Sequence, residues 1–148
     1  IRDPTLRSQL KSKIHRAIVT DAHVDYEGSI SIPEDLMEVA DLWEGEKVLV
    51  ASITSGNRLE TYVQTGPAGE GGIVMNGGAA RLIQKGERVA IMAWGLDEKR
   101  IVAKKLLCNE KNEVIRVEEL SPVFGQAFKK AFFAKCPQAL ALDELCEY

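Results

Sequence analysis

The sequence lacks most of the patterns that mark metal, nucleotide and hydrolase sites. Its three cysteines have no Cys-x-x-Cys spacing and its two histidines form no His-Glu-x-x-His motif, so neither a disulfide framework nor a metal site is predicted. The glycine-rich stretch 66–72 matches neither common phosphate-binding loop. The Gly-x-Ser-x-Gly elbow of one large class of serine hydrolases is also missing.

Charge and hydropathy exclude two further classes. The formal net charge is −3, whereas a protein that coats nucleic acid is basic. No apolar run approaches the roughly 20 residues of a membrane-spanning helix. The charged start Ile-Arg-Asp-Pro-Thr has no apolar stretch typical of a secretory signal. Together with cysteines that suggest no disulfide, these features predict a cytoplasmic protein with no nucleic-acid or membrane partner.

Short strands separated by turns account for most of residues 1–118. β-branched residues and alternation of polar with apolar residues mark the strands, and Ser55-Gly56-Asn57 predicts a hairpin turn. Pro33, which suits the first helical position, and apolar residues at helical spacing predict a short helix at 34–40. The predicted strands cover 13–20, 28–32, 48–54, 58–64, 73–75, 88–94, 101–107 and 114–117.

One internal similarity suggests how the strands are organised. Residues 42–48, Leu-Trp-Glu-Gly-Glu-Lys-Val, resemble residues 83–89, Ile-Gln-Lys-Gly-Glu-Arg-Val. In both segments a glycine followed by glutamate and a basic residue leads into an apolar strand, as a tight turn before a buried strand requires. The repetition suggests a barrel assembled from two related halves.

The last part of the chain has a different pattern. Val123, Phe124, Ala127, Phe128 and Ala131 recur on one face at helical spacing, which predicts an amphipathic helix. The length of 148 residues suits a single folded core. The predicted organisation is therefore a mainly β domain with short helices over 1–118, followed by a C-terminal helical extension over 119–148.

The segment Tyr26-Glu27-Gly28-Ser29 permits a specific reaction. A serine hydroxyl can attack the carbonyl of the preceding residue and convert the peptide bond into an ester. Glycine on the acyl side removes a side chain that would oppose the strained backbone this attack needs. Elimination and hydrolysis then leave a pyruvoyl group at the new N-terminus. A Gly-Ser pair before a strand is also an ordinary turn, so other residues must decide.

Four segments occur in one order: Lys13-Ile14-His15-Arg16, Tyr26-Glu27-Gly28-Ser29, residues 54–62 and residues 76–80. In this order and spacing they resemble the pyruvoyl-dependent aspartate 1-decarboxylase family over about residues 10–105. The resemblance implies a double-psi β-barrel, self-cleavage between Gly28 and Ser29, and a covalent pyruvoyl cofactor derived from Ser29. It further implies a homotetramer with sites between subunits, which converts L-aspartate to β-alanine for pantothenate synthesis.

The resemblance also implies roles for residues matched by position. Ser29 looks like the pyruvoyl precursor and Tyr62 like the proton donor, while Lys13 and Arg58 look like the groups that bind the substrate carboxylates. Thr61 resembles the residue that assists self-cleavage and contacts substrate. Further substrate contacts are implied for Gly77, Gly78 and Ala79, and support of the site for His15, Tyr26 and Asn76.

The chemistry fits these residue types, and the sequence leaves some alternatives open. A pyruvoyl carbonyl forms a Schiff base with an amine and accepts electrons as CO2 leaves, so it needs a proton donor and cations for carboxylates. Ala51-Ser52 stands where many family members have Trp-Asn, and Gly78 where they have alanine. A different substrate such as glutamate, a non-catalytic psi-barrel binding module, and maturation by a partner protein therefore stay open.

Overall fold

The computed structural model describes residues 5–118, so the helical extension predicted at 119–148 lies outside the described residues. Strands dominate the described part, which confirms the prediction of a mainly β fold. Neither helix in this part is long and apolar enough to cross a membrane. The strands are β1 Arg7–Ile18, β2 Asp21–His23, β3 Ser29–Pro33, β4 Lys47–Ser52, β5 Arg58–Gly66, β6 Val74–Asn76, β7 Arg88–Asp97, β8 Lys104–Cys108 and β9 Val114–Glu118, and the helices are α1 Glu34–Ala40 and α2 Ala79–Leu82.

The strands form one mixed sheet in the order β2-β6-β3-β5-β4-β7-β1-β8-β9. The pairs β1–β8, β2–β6 and β3–β5 are parallel and the other pairs are antiparallel, so the chain crosses over repeatedly. Side chains alternate along each strand, and one set fills a common core that includes Ile14, Ile30, Val48, Val50 and Ile91. This mixed, crossing topology agrees with the double-psi β-barrel expected from the resemblance.

Most predicted strands are confirmed, and the differences have physical causes. β1 begins at Arg7, before the predicted start at 13, because its polar first residues pair with β7 as far as Asp97. The sequence did not predict β2 or α2, which have three and four residues and are too short to show a periodicity. β8 begins at Lys104 and not at 101. Pro33 was expected at the first helical position of α1. It is instead the last residue of β3 and the N-cap residue of α1, one position before the helix begins.

The two similar segments fold as equivalent turns. Gly45 and Gly86 have positive φ angles of 84° and 92°, which glycine adopts without steric cost. In each turn the following glutamate carboxylate accepts the backbone N–H three residues earlier, at 3.0 Å for Glu46 and 2.5 Å for Glu87. The strands that leave these turns, β4 and β7, pair with each other antiparallel. The repeat therefore reflects two related halves that meet at the centre of the sheet.

Glu87 is ionised more readily than an ordinary glutamate. Burial raises its pKa, but hydrogen bonds from Ser52, the Gln84 backbone and Ser55 outweigh burial and hold the pKa below its usual 4.5. The Ser52 hydroxyl donates to the carboxylate at 2.7 Å and joins the turn to the end of β4. A carboxyl with a lowered folded-state pKa stabilises the fold above its unfolded pKa, and this stabilisation is lost as pH falls through the folded pKa.

Glu87→Gln is expected to lower the free energy of unfolding at pH 7 by about 1 kcal/mol, because a charge-assisted hydrogen bond becomes a neutral one. The difference from the unchanged protein should shrink as the pH is lowered from 7 to about 3.5, where the wild-type carboxylate is also becoming protonated. Urea unfolding at the two pH values measures both quantities. An equal loss at both would contradict the proposed role of the ionised carboxylate.

Candidate active site

Ser29 opens β3 and is completely buried. Its strand pairs with β6 on one side, where Ser29 lies opposite Asn76, and with β5 on the other. The Asn76 side-chain amide donates a hydrogen bond of 3.1 Å to Ser29 Oγ, and the Ser29 hydroxyl donates to Gln64 Oε1 at 3.0 Å. The Glu27 carbonyl oxygen is a longer alternative acceptor at 3.3 Å. Two neighbouring strands, β5 and β6, therefore fix the position of this hydroxyl.

The residue before the buried serine has the opposite environment. Gly28 is exposed, so the Gly28–Ser29 peptide bond joins exposed backbone to the core. A Cβ at Gly28 would meet no atom within 4 Å. A larger side chain would therefore fit at position 28 in this conformation. The reason given in the sequence analysis for a glycine here concerns only the strained backbone conformation during self-cleavage.

Gly77 is the glycine whose lack of a side chain is required here. Its φ angle is +67°, and a Cβ at this position would lie 2.6 Å from the Gly28 nitrogen and 2.9 Å from the Tyr26 carbonyl oxygen. Its own N–H donates to the His23 carbonyl at 2.8 Å. The end of β6 is thus packed directly against the backbone that precedes Ser29, and any larger residue would push the two apart.

Three other predicted residues flank this contact. The exposed Tyr26 ring lies with its centroid 4.8 Å from that of His23, next to the turn that leads to Gly28. Gly78 caps α2 with an ordinary φ of −60°, and Ala79 is the first residue of that helix. The segment predicted to contact substrate therefore leaves β6 beside the buried serine and turns at once into a short helix.

Tyr62 lies on β5 beside Ser29. Ile30 pairs with Val63 in the parallel register, which puts Tyr62 next to Ser29 on the neighbouring strand. Side chains two residues apart on a strand share a face, so Tyr62 lies on the same face as Gln64, which contacts Ser29 Oγ. The Tyr62 side chain is 42% exposed and can be reached by a ligand from solvent.

Arg58 and Thr61, also on β5, are less close to the serine hydroxyl. Alternation places Thr61 on the opposite, half-buried face of the strand from Tyr62. Arg58 is exposed on the Tyr62 face, but it precedes Tyr62 by four residues, which is roughly 13 Å along a strand. It lies opposite Ala51 on β4, the small residue noted in the sequence. The single chain therefore does not bring Arg58 to Ser29.

Lys13 lies in a different part of the sheet. Four strand-to-strand steps separate β1 from β3, which is roughly 19 Å along the sheet. Lys105 on β8 is directly opposite Lys13. The cavity here has a volume of about 210 Å³ and contains three permanent cations and one carboxylate, and it is lined by Lys13, His15, Lys105, Leu106, Leu107, Arg116 and Glu118. This composition suits an anionic group.

His15 lines the same cavity without adding charge at neutral pH. Burial is the largest cause that lowers its pKa below 6.5, followed by the positive charges of Lys13, Arg16 and Arg116, and Glu118 opposes them only weakly. Its Nδ1 atom is buried and has no hydrogen-bond partner within residues 5–118. The neutral ring therefore offers one polar nitrogen beside the lysine.

The structure gathers some predicted residues and separates others. Sequence reasoning missed Gln64, which the alternation of β5 could have placed on the Tyr62 face. It also missed Lys105 and Arg116, for which the sequence carries no signal because their position depends on the pairing of β1, β8 and β9. No cluster of three or more metal-ligating side chains occurs in the described part of the chain. The predicted residues that lie close to Ser29 are Gly28, Tyr62, Asn76 and Gly77. The predicted residues that lie apart from it are Lys13, His15 and Arg58.

The fold and the site define a small, mainly β protein with a buried serine directly after an exposed glycine. The family described as aspartate decarboxylase matches residues 5–115. A relative from Pseudothermotoga lettingae named aspartate 1-decarboxylase is 48% identical over 76% of this chain and 100% of its own length. Relatives with the same name from Acetivibrio thermocellus and Shouchella clausii are 48% and 42% identical, over 74% and 78% of this chain and 90% and 94% of their own lengths. The chain belongs to the aspartate decarboxylase family.

Gly77→Ala is expected to lower the free energy of unfolding by about 2–4 kcal/mol, because the new methyl group combines a left-handed φ with a backbone clash. Gly78→Ala is the matched control, since that position has ordinary φ and open space, and its effect should stay within about 0.5 kcal/mol. Denaturant unfolding of both variants, each carrying Ser29→Ala so that the chain stays intact, measures the difference. Equal stabilities would show that β6 does not need to approach Gly28 so closely.

Proposed function

We propose that this chain is the precursor of a pyruvoyl-dependent decarboxylase that converts L-aspartate to β-alanine. The observation that carries the proposal is the buried Ser29 hydroxyl, which Asn76 and Gln64 hold immediately after the exposed Gly28. The relatives named aspartate 1-decarboxylase support aspartate as the substrate. They favour neither a decarboxylase of another amino acid nor a non-catalytic binding module.

Maturation is proposed to begin with attack of Ser29 Oγ on the Gly28 carbonyl carbon. The C–N bond breaks as the ester forms, and the hydroxyl proton passes to the Ser29 nitrogen. Loss of the Ser29 Cα proton then expels the Gly28 carboxylate and leaves dehydroalanine. Hydrolysis of this enamine consumes water, releases ammonia and leaves the pyruvoyl ketone. The Asn76 amide, which donates to Oγ, holds the nucleophile in place at the start of β3 for this attack.

Cleavage would make residue 29 a chain terminus, and the group formed there is proposed to react with a substrate amine. The pyruvoyl ketone condenses with an amine and accepts electrons when the α-carboxylate leaves as CO2. Tyr62 lies beside this position on an open face, and we assign it the proton that replaces the lost carboxylate. The overall reaction consumes aspartate and one proton and yields β-alanine and CO2. Thr61, Gly77, Gly78 and Ala79 are proposed as further substrate contacts.

Lys13 and Arg58 are proposed to bind the two carboxylates of aspartate. A guanidinium can hold one carboxylate with two parallel hydrogen bonds, and the cation-lined cavity at Lys13 suits the other. In one chain Lys13 and Ser29 lie on strands that are four strand-to-strand steps apart, and the residues that line the cavity at Lys13 do not include Ser29. This separation supports a homotetramer in which each site combines residues of two subunits, with His15 beside Lys13 in a supporting role.

Residues 1–118 are proposed to form the catalytic barrel and residues 119–148 a separate helical extension. The family match ends at residue 115, which supports this boundary. A cytoplasmic location is proposed because the spacing of the three cysteines suggests no disulfide framework.

The first test of the function is cleavage of the chain. Purified protein warmed to complete maturation should give fragments 1–28 and 29–148, and the second should resist Edman degradation because its first residue carries a ketone in place of an amine. Ser29→Ala should stay intact and inactive, while Ser31→Ala, two residues along the same strand, should cleave normally. Intact mass measures all three. Cleavage of Ser29→Ala, or a free serine amine at residue 29, would contradict the proposed conversion of Ser29 to a pyruvoyl group.

The second test separates maturation from turnover. Tyr62→Phe should still cleave at Gly28–Ser29, because it removes one hydroxyl and keeps the ring. Formation of β-alanine per cleaved chain should fall by about 10²–10⁴-fold, the usual contribution of a positioned general acid. Cleavage is followed by mass, and β-alanine is quantified on the cleaved fraction. If Tyr62→Phe blocked cleavage while its matured fraction formed β-alanine at the normal rate, Tyr62 would be needed for maturation and not as the proton donor in turnover.

A further inference from the structure

Gln64 reaches the buried nucleophile from the exposed face of β5. Its Oε1 atom lies 3.0 Å from Ser29 Oγ, and the buried Val63 beside it anchors the strand in the core. We propose that Gln64 is a positioning residue for self-cleavage, which accepts the Ser29 hydroxyl proton in a hydrogen bond and leaves an Oγ lone pair free to attack the Gly28 carbonyl carbon. The inference rests on the proposed function, because it concerns the conversion of Ser29.

The Ser29 hydroxyl can make only a limited number of hydrogen bonds. Ser29 Oγ has one proton to donate and two lone pairs. The Asn76 amide occupies one lone pair at 3.1 Å, and the proton has two acceptors within reach, Gln64 Oε1 at 3.0 Å and the Glu27 carbonyl at 3.3 Å. While Gln64 holds the proton, the second lone pair has no donor among residues 5–118. Without Gln64 the proton turns to Glu27, towards the chain segment that Oγ must attack.

Gln64 can direct the proton but cannot remove it. A carboxamide is not a base at neutral pH, so the proton leaves Oγ only as the attack proceeds and the Ser29 nitrogen accepts it. Ser29 is completely buried, so bulk water does not reach the hydroxyl directly. A carboxylate at position 64 would combine both functions, since it could hold the proton at the same distance and also accept it.

The experiment follows the cleavage of freshly purified precursor by intact mass from pH 3.5 to 7.5, a range that includes the ordinary titration of a glutamate, in four proteins. These are the unchanged chain, Gln64→Leu, Gln64→Glu and the control Thr65→Leu, which makes the same polar-to-apolar change at an exposed neighbour on the opposite face of β5. Gln64→Leu should cleave about 3- to 10-fold more slowly, the effect of losing one hydrogen bond. Thr65→Leu should cleave within about twofold of the unchanged chain.

Gln64→Glu gives a result that a purely structural role would not produce. Its cleavage rate should rise with pH as the new carboxyl ionises, to about tenfold or more above the unchanged chain, whose rate lacks this step. Gln64→Leu cleaving as fast as the unchanged chain, or Gln64→Glu following the unchanged pH profile, would overturn the inference. Failure of the unchanged chain to cleave, both alone and after addition of a cell extract that could supply a maturation protein, would instead refute the proposed function on which it rests.

Discussion

The close approach of two backbone segments determines the geometry around the Gly28–Ser29 bond. Because Gly77 has no Cβ, the end of β6 can lie against Gly28, and the β3–β6 pairing then places Asn76 opposite Ser29. β5 closes the other side and contributes Gln64. The serine is thus held within the sheet while the residue before it stays exposed. A bond that must rearrange needs this combination of one fixed atom and one free neighbour.

The same sheet separates the groups that are proposed to act on a dicarboxylate substrate. Tyr62 lies beside Ser29, whereas Lys13 lies four strand steps away in a cavity that also contains Lys105 and Arg116. Two lysines directly opposite each other on paired strands repel, and an anion between them relieves this repulsion. Because His15 is neutral at physiological pH, the charge of the cavity comes from these three cations and the Glu118 carboxylate. This separation is explained if the cavity of one subunit binds a carboxylate of the substrate that reacts at residue 29 of another subunit.

The sequence predicted those parts of the fold whose signals are local. Alternation located the central strands, and the repeated Gly-Glu turn located the two strands that pair at the centre of the sheet. Ser29 and Asn76 were both marked by motifs. Gln64 and Lys105 were not, because their roles arise from pairings between strands far apart in the chain. The separation of Lys13 from Ser29 is likewise a property of strand order, which no local pattern encodes.

The central claim is that residue 29 itself becomes the electrophile that takes up aspartate. Trapping tests it most directly: matured protein is incubated with isotopically labelled aspartate and borohydride, digested, and analysed by mass spectrometry. The account predicts that the label is joined covalently to the peptide that begins at residue 29, and that Ser29→Ala acquires none. Label on a lysine side chain, or activity that survives the treatment with no adduct at residue 29, would contradict it.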